Sequence, residues 1–224
     1  MSEIITLDEN TESVRYLSGK DKRLAKVIET VGTITYKTHD DDPYAFLVHE
    51  IIEQMLSIKA GAKIFERLET LCGGHVTADA VNALTDEQVK SIGTSSPKVS
   101  YIRSLTNAIE SGDIVFSELD KMNDEQVVKK LTTVRGLGIW SAKMYLIFVL
   151  NRQDILPTED VAFLQGCEWL YRINDRSVDA VKKKCKKWRP YSSIAARYLY
   201  RALDIGLTKE EFHLRKSNPV IQRD

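Results

Sequence analysis

The 224-residue chain is expected to be all-α, with about ten helices in two helical lobes, a helix-hairpin-helix corner and a cleft between the lobes. Three observations lead there. Apolar residues recur at three- and four-residue spacing through segment after segment, which is the pattern of helices that each bury one face. The segments are punctuated by residues that start helices, such as Ser, Thr, Asp and Asn, and by glycines that end them. Alternation of period two is found only at Gly32 to Tyr36. A hydrophobic content of 43% over this length suffices for one large domain or two small ones sharing a cleft.

Taken in order, residues 1–19 pass from acidic to basic with weak periodicity and are expected to form a loose arm. Residues 20–224 then make a single functional unit, a helical lobe of about residues 40–150 packed against a lobe from both termini. From Asp21 onward, Leu24, Val27, Ile28 and Val31 form a helical stripe that stops at Gly32. Pro43 opens a helix with Phe46, Leu47, Ile51 and Met55 on one face, and Ser57 caps the next, whose stripe is Ala60, Ile64, Leu68 and Leu71. Cys72 to His75 is a glycine turn. Thr85-Asp86-Glu87-Gln88 and Asn123-Asp124-Glu125-Gln126 have capping-box form, each leading toward a glycine, Gly93 and Gly136. Ser96-Pro97 starts a helix whose buried stripe is Val99, Ile102, Leu105 and Ile109. Ile139 to Leu150 reads as a very apolar helix and Val161 to Tyr171 as another.

Charge and cysteine usage limit the function classes. Lys plus Arg and Asp plus Glu both number 32, so the chain lacks the overall positive charge of many nucleic-acid binders, and any such contact has to come from a local face. The most basic run is Lys182, Lys183, Lys184, Lys186, Lys187 and Arg189, which also reads as a solvated helix face. The three cysteines, Cys72, Cys167 and Cys185, are scattered without a CxxC, which points to a reducing compartment and no structural zinc. His39, His49 and His213 show no ligand spacing. No signal peptide is seen at Met1 to Leu7, and the run after Ile139 is too short to span a bilayer, so an intracellular protein without a membrane partner is expected.

Chemistry concentrates in residues 131–166. Val134 to Gly138 form a turn in which two glycines spaced by one residue allow positive φ and close approach of another backbone or a ligand. The Gly136 and Gly138 amides and the following helix start make an anion-binding corner. Downstream, Pro157 restrains Leu156 to extended geometry and Asp160 stands where the next helix begins, a position that also suits an ordinary N-cap. Trp140 either packs in the core or offers its indole face to a cation.

VRGLGIWSAKMYL followed by LPTEDVAFLQG resembles the helix-hairpin-helix, loop and catalytic Asp signature of the HhH-GPD DNA glycosylase superfamily, most closely its 3-methyladenine DNA glycosylase II branch. DPYAFLVHEIIEQMLSIKAGAKIFERL, SIGTSSPKVSYIRSL and KKWRPYSSIAARYLYRAL extend the likeness over roughly residues 20–205. The resemblance implies a monofunctional glycosylase that flips alkylated purines of the 3-methyladenine or 7-methylguanine type out of double-stranded DNA and hydrolyses the N-glycosidic bond. Asp160 is then the catalytic carboxylate, steadying positive charge on the sugar. A base that is already cationic needs little protonation to leave. Trp140, Tyr200 and Trp188 are candidates for the base pocket, and because Trp140 replaces the Schiff-base Lys of bifunctional relatives, no strand-cleaving activity is expected. Gly136, Gly138, Ser141 and Lys143 would hold the DNA backbone, and the carbonyls of Thr132, Val134 and Leu137 a Na+ or K+ ion. The wedge that opens the base stack is expected at Leu71 or His75.

The chain departs from the family in three places. The usual paired glutamines are Gln54 and Met55, the Arg expected after Trp-x-Pro-x is Ser192, and the four-Cys iron-sulfur loop of related branches is missing. No further cofactor is expected, and the protein should act as a monomer, cytoplasmic in a bacterium or nuclear in a eukaryote. Two other readings stand beside this one: a uracil or oxidised-base glycosylase on the same scaffold, and a non-catalytic module that recognises DNA structure.

Overall fold

The computed structural model describes residues 4–37 and 42–214. Among these are thirteen α-helices and one two-stranded sheet, so the protein is mostly helical. The described residues divide into two compact units, 42–151 in one and 4–37 with 152–214 in the other.

The segment expected to be a loose arm is ordered over its described residues, 4–19. Strand β1 (Ile4–Leu7) pairs antiparallel with β2 (Ile34–Lys37), Ile4 opposite Lys37 and Leu7 opposite Ile34. An Asp8 turn, whose carboxylate accepts from the Asn10 and Thr11 amides, leads into α1 (Glu12–Lys20), and α2 (Lys22–Val31) follows, capped by Asp21 and closed by Gly32 at φ 73°. The periodicity was weak because only Leu7, Val14 and Leu17 carry the inward face here, and burying them is worth about 1.5–3 kcal/mol each, enough to order a polar segment.

Residues 42–151 form a helical layer around α3 (Pro43–Glu53) and α7 (Ser96–Glu110). The other members are α4 (Ile58–Leu71), α5 (Ala78–Asn82), α6 (Asp86–Ser91), α8 (Phe116–Leu119), α9 (Asp124–Leu131) and α10 (Ile139–Met144). Both capping boxes form: Thr85 and Gln88 close one, Asn123 and Gln126 the other. The core draws on the expected stripes, with Leu47, Ile51, Leu68, Ile102 and Leu105 fully enclosed beside Ile52 and Leu131, whereas Leu71, expected in the stripe of α4, is exposed at the end of that helix. Two further expectations fail. Met55 is not on the buried face of α3; the helix ends at Glu53, and Met55 stands beyond it, fully exposed at φ 60°. The helix from Ile139 does not run on as α-helix to Leu150: Tyr145–Val149 widen into a π turn, with the Leu150 amide donating to the Tyr145 carbonyl. The Tyr145 ring lies there against Phe46 and Phe116.

In the unit of residues 4–37 and 152–214, α11 (Val161–Tyr171), α12 (Val178–Cys185) and α13 (Ser192–Asp204) join α1 and α2. Gly166 lets α11 approach α13 closely, since a Cβ there would lie 3.2 Å from that of Leu199. Phe163, Trp188 and Tyr198 fill the centre. At its edge the buried Asp21 carboxylate accepts hydrogen bonds from Tyr171 Oη and, at 2.9 Å, Trp188 Nε1, and pairs with Lys187 Nζ at 3.1 Å. Lys182, Lys183, Lys184 and Lys186 are exposed on α12 and the short 3-10 turn after it.

Candidate functional site

The hairpin corner lies between α9 and α10. Gly136 has φ 98°, a region L side chains rarely occupy, and a Cβ added there would fall 2.3 Å from Tyr101 Cγ, so packing and backbone both require glycine. The Gly136 carbonyl accepts from Gln54 Nε2 at 2.9 Å, and the Arg135 guanidinium sits 5.7 Å from the centre of the Tyr101 ring. Val134 and Leu137 are buried and pin the turn from beneath, Leu137 N–H donating to the Val134 carbonyl. Gly138, exposed with an extended backbone, is the N-cap of α10 and contributes no side chain, which leaves its surroundings open. Neither glycine amide donates to another group among the described residues, and the corner thus presents backbone donors beside the Arg135 side chain.

Ser141 does not share that surface. It is 1% exposed and its hydroxyl is enclosed, so it cannot hold a phosphate as expected; one turn beyond the hairpin, it faces the packed side of α10. Lys143 is half-buried. Thr132, Val134 and Leu137 offer carbonyl oxygens, the donor type a hard monovalent cation takes, and the Val134 carbonyl keeps a lone pair after accepting Leu137 N–H. Among the described residues no cluster of His, Cys, Asp and Glu could hold a metal. His39 lies outside the described residues, His49 pairs with Glu53 at 3.3 Å, and His213 lies near Glu211.

Asp160 is built by its approach as well as by its helix. Thr158 N–H donates to the Leu156 carbonyl and Asp160 N–H to that of Pro157, a tight turn that delivers the carboxylate to the start of α11. Its Oδ1 accepts from Phe163 N–H at 2.6 Å, and Phe163 is itself fully buried, so the half-buried carboxylate is anchored to the core through the first helical turn. A cap takes one of the about four acceptor positions of a carboxylate, so capping by itself does not exclude a second role. Glu159 is exposed and accepts from Thr158 Oγ1. The loop before Asp160 is held from the start of α13 and the turn before it: Ser192 Oγ donates to Asp154 Oδ1 at 2.6 Å, Arg189 Nε donates to Asp154 Oδ2, and Ile155 N–H donates to Ser193 Oγ. Ser192, a departure from the family pattern, therefore serves the loop.

Of the three aromatic residues expected in a base pocket, Trp140 and Tyr200 are half-buried and Trp188 is 0% exposed. Its indole is locked to Asp21 in the core of its unit, so Trp188 is removed from any pocket wall. Leu71 and His75 are both exposed. Sequence reasoning singled out Gln54 and Met55 as a departure from the family pattern but missed Lys98 and Tyr101, which join them in one group. Lys98 Nζ donates to the carbonyls of Ile52 and Gln54 at 2.8 and 2.6 Å, which closes the end of α3 beside the hairpin.

Residues 48–190 match the family of HhH-GPD superfamily base excision DNA repair proteins. The chain belongs to the HhH-GPD superfamily. As a member it is a base excision DNA repair protein of the DNA glycosylase kind, a hydrolase with a helix-hairpin-helix DNA-binding element. This HhH-GPD protein is similar to DNA-3-methyladenine glycosylase 1 of Schizosaccharomyces pombe, 28% identical over 197 residues, 85% of this chain and 86% of that one. Among solved structures it is similar to a DNA-3-methyladenine glycosidase from Bacillus halodurans, 32% identical with a TM-score of 0.80 over 94% of this chain and 97% of that one. A Schizosaccharomyces pombe 3-methyladenine DNA glycosylase in complex with abasic DNA is similar at TM-score 0.79 and 27% identity, covering 88% and 98%. No described helix of this HhH-GPD chain is long and apolar enough to cross a membrane.

Proposed function

We propose that the protein is a monofunctional glycosylase that removes alkylated purines of the 3-methyladenine and 7-methylguanine type from duplex DNA. The observation that carries this is Asp160, a carboxylate fixed by Phe163 N–H at the mouth of a core-anchored helix, in a superfamily of base excision repair. Breaking the bond to a cationic base leaves positive charge on the deoxyribose, and a preorganised carboxylate steadies that charge and orients the attacking water. The Gly136 and Gly138 amides hold the strand, supported by Lys143 and by a monovalent cation at the carbonyls of Thr132, Val134 and Leu137. Trp140 and Tyr200 receive the flipped base, the indole favouring a cationic one and offering no amine for a lyase step. Met55, fully exposed where Leu71 is 40% exposed, and tethered through Gln54 to the hairpin, is favoured over Leu71 and His75 as the wedge that fills the vacated stack. Relatives named for 3-methyladenine support the substrate class. A monomer working inside the cell completes the reading.

Asp160→Asn tests it cleanly. Asn caps a helix as well as Asp does, so stability should change by less than about 0.5 kcal/mol while base release falls at least ~100-fold. The assay is single-turnover release from duplexes carrying 7-methylguanine, uracil or 8-oxoguanine. Unchanged release by Asp160→Asn refutes the carboxylate's role, and release of uracil or 8-oxoguanine alone refutes the substrate class.

A further inference from the structure

Resting on that reading, we propose that Lys98, together with Tyr101 one turn further along α7, is a positioning residue that holds the Met55 turn at a fixed offset from the hairpin, so that gripping the strand and opening the stack are one mechanical event.

Met55 is in a costly state. A non-glycine residue at φ 60° gives up roughly 1–2 kcal/mol, and its side chain recovers nothing because it buries nothing. Such a residue persists only where its neighbours leave the chain no alternative. Those neighbours are the two donations from Lys98 Nζ to the Ile52 and Gln54 carbonyls, the Leu56 N–H donating to the Glu53 carbonyl, and Gln54 Nε2 donating to the Gly136 carbonyl. The ammonium also sits at the negative end of α3, where a cation is favoured. Three residues along the same face of α7, Tyr101 touches the place where a Gly136 Cβ would be and carries the Arg135 guanidinium on its ring. One helix therefore holds both the turn that bears the exposed methionine and the corner that bears the exposed amides. Burial pushes the Lys98 amine below the usual lysine range, in keeping with a site where water is partly excluded and each hydrogen bond holds more firmly. Its donors face backbone carbonyls, so Lys98 acts by placement and not by touching DNA.

A residue that merely stabilises the fold would depress every activity alike, whereas a strut between grip and wedge matters only when a stacked base must be displaced. The experiment uses the full chain with Lys98→Met, which keeps the stem and removes the donors, and Lys98→Arg, which restores them. Release of 7-methylguanine is followed in single turnover from a fully paired duplex and from the same duplex with the lesion in an unpaired bulge, and flipping is read from 2-aminopurine fluorescence beside the lesion. The expected result is a ~10–100-fold slower release and a weakened flipping signal on paired DNA, less than about 3-fold change on the bulge, and partial recovery with arginine. Gln54→Met, which cuts the tie at its hairpin end, should reproduce the pattern and serves if Lys98→Met does not fold. Equal losses on both substrates, or no loss on either, overturn the strut. Wild-type protein that releases nothing from either substrate refutes instead the glycosylase reading on which it rests.

Discussion

Gly136 and Gly138 both lack a side chain, and the structure gives each its own reason. At Gly136 an alanine would have to adopt φ 98° and push into the Tyr101 ring, combining a left-handed backbone with overpacking, so Gly136→Ala should lower stability by at least ~2 kcal/mol in urea unfolding. At Gly138 φ is −101° and no atom lies within 4 Å of a built Cβ, so Gly138→Ala should leave the unfolding midpoint in place. It should nevertheless weaken binding to abasic duplex, because the methyl stands where a phosphate would approach the amides. A stability loss at Gly138 equal to that at Gly136 would contradict this division of labour. Residues of this kind were legible where a local rule forces them: Gly-x-Gly between helices, and a Pro157 that leaves Asp160 little choice but to start a helix. Trp188 and Met55 were not legible, because an indole on a basic, aromatic segment and an apolar residue at helical spacing look the same whether they face core or solvent. What decided them were partners distant in sequence, Asp21 for Trp188 and Lys98 for the Met55 turn.

At the scale of elements, α3 shows how an end is chosen. Its apolar spacing continues through Met55, yet the helix stops at Glu53 because Lys98 accepts the duty of pairing its last carbonyls and frees the chain to turn. A turn so constrained should tolerate the loss of its exposed side chain. Met55→Gly relieves the left-handed strain by about 1 kcal/mol, offset by the greater freedom of glycine in the unfolded chain, so the melting temperature should hold or rise while release from paired duplex falls. Met55→Leu, keeping the apolar bulk, should retain most activity. A marked drop in melting temperature with Met55→Gly would show that the residue is there for the fold. Helices with strong stripes and written caps, such as α2 and α9, could be read directly, each cap being worth ~1 kcal/mol in a known place, and α7 could be read from its stripe and from Pro97 in its first turn. Strand β1 and helix α1 could not, since a four-residue strand and a helix with few inward side chains leave almost no periodic trace, and their partners include β2 and residues as distant as Tyr198, which donates to the Leu7 carbonyl.

For the whole molecule, residues 4–37 and 152–214 share one unit, and a single buried carboxylate ties the two segments. Asp21 caps α2 through Oδ1, while Oδ2 gathers Tyr171 from α11 and Trp188 and Lys187 from the turn after α12, joining groups about 150 residues apart. Burial alone would raise its pKa, but the hydrogen bonds from Tyr171, Trp188 and Lys187 outweigh that and hold it below the usual carboxylate range. A group whose pKa is lower in the folded protein than in the unfolded chain stabilises the fold above the unfolded value, about 3.9, and loses that contribution as pH falls through the folded value. Asp21→Asn keeps the cap oxygen but turns an amide donor toward groups that themselves donate, and it leaves Lys187 without its charge partner. The expected cost near pH 7 is about 3 kcal/mol, the scale of breaking a buried ionic contact. That cost should shrink as unfolding is measured at successively lower pH, because the wild-type protein loses the same interaction on protonation below pH ~4, so the two stability curves converge in acid. Curves that remain parallel from pH 7 to pH 3 would mean that the carboxylate's charge contributes nothing and that its hydrogen bonds serve only the shape of the core.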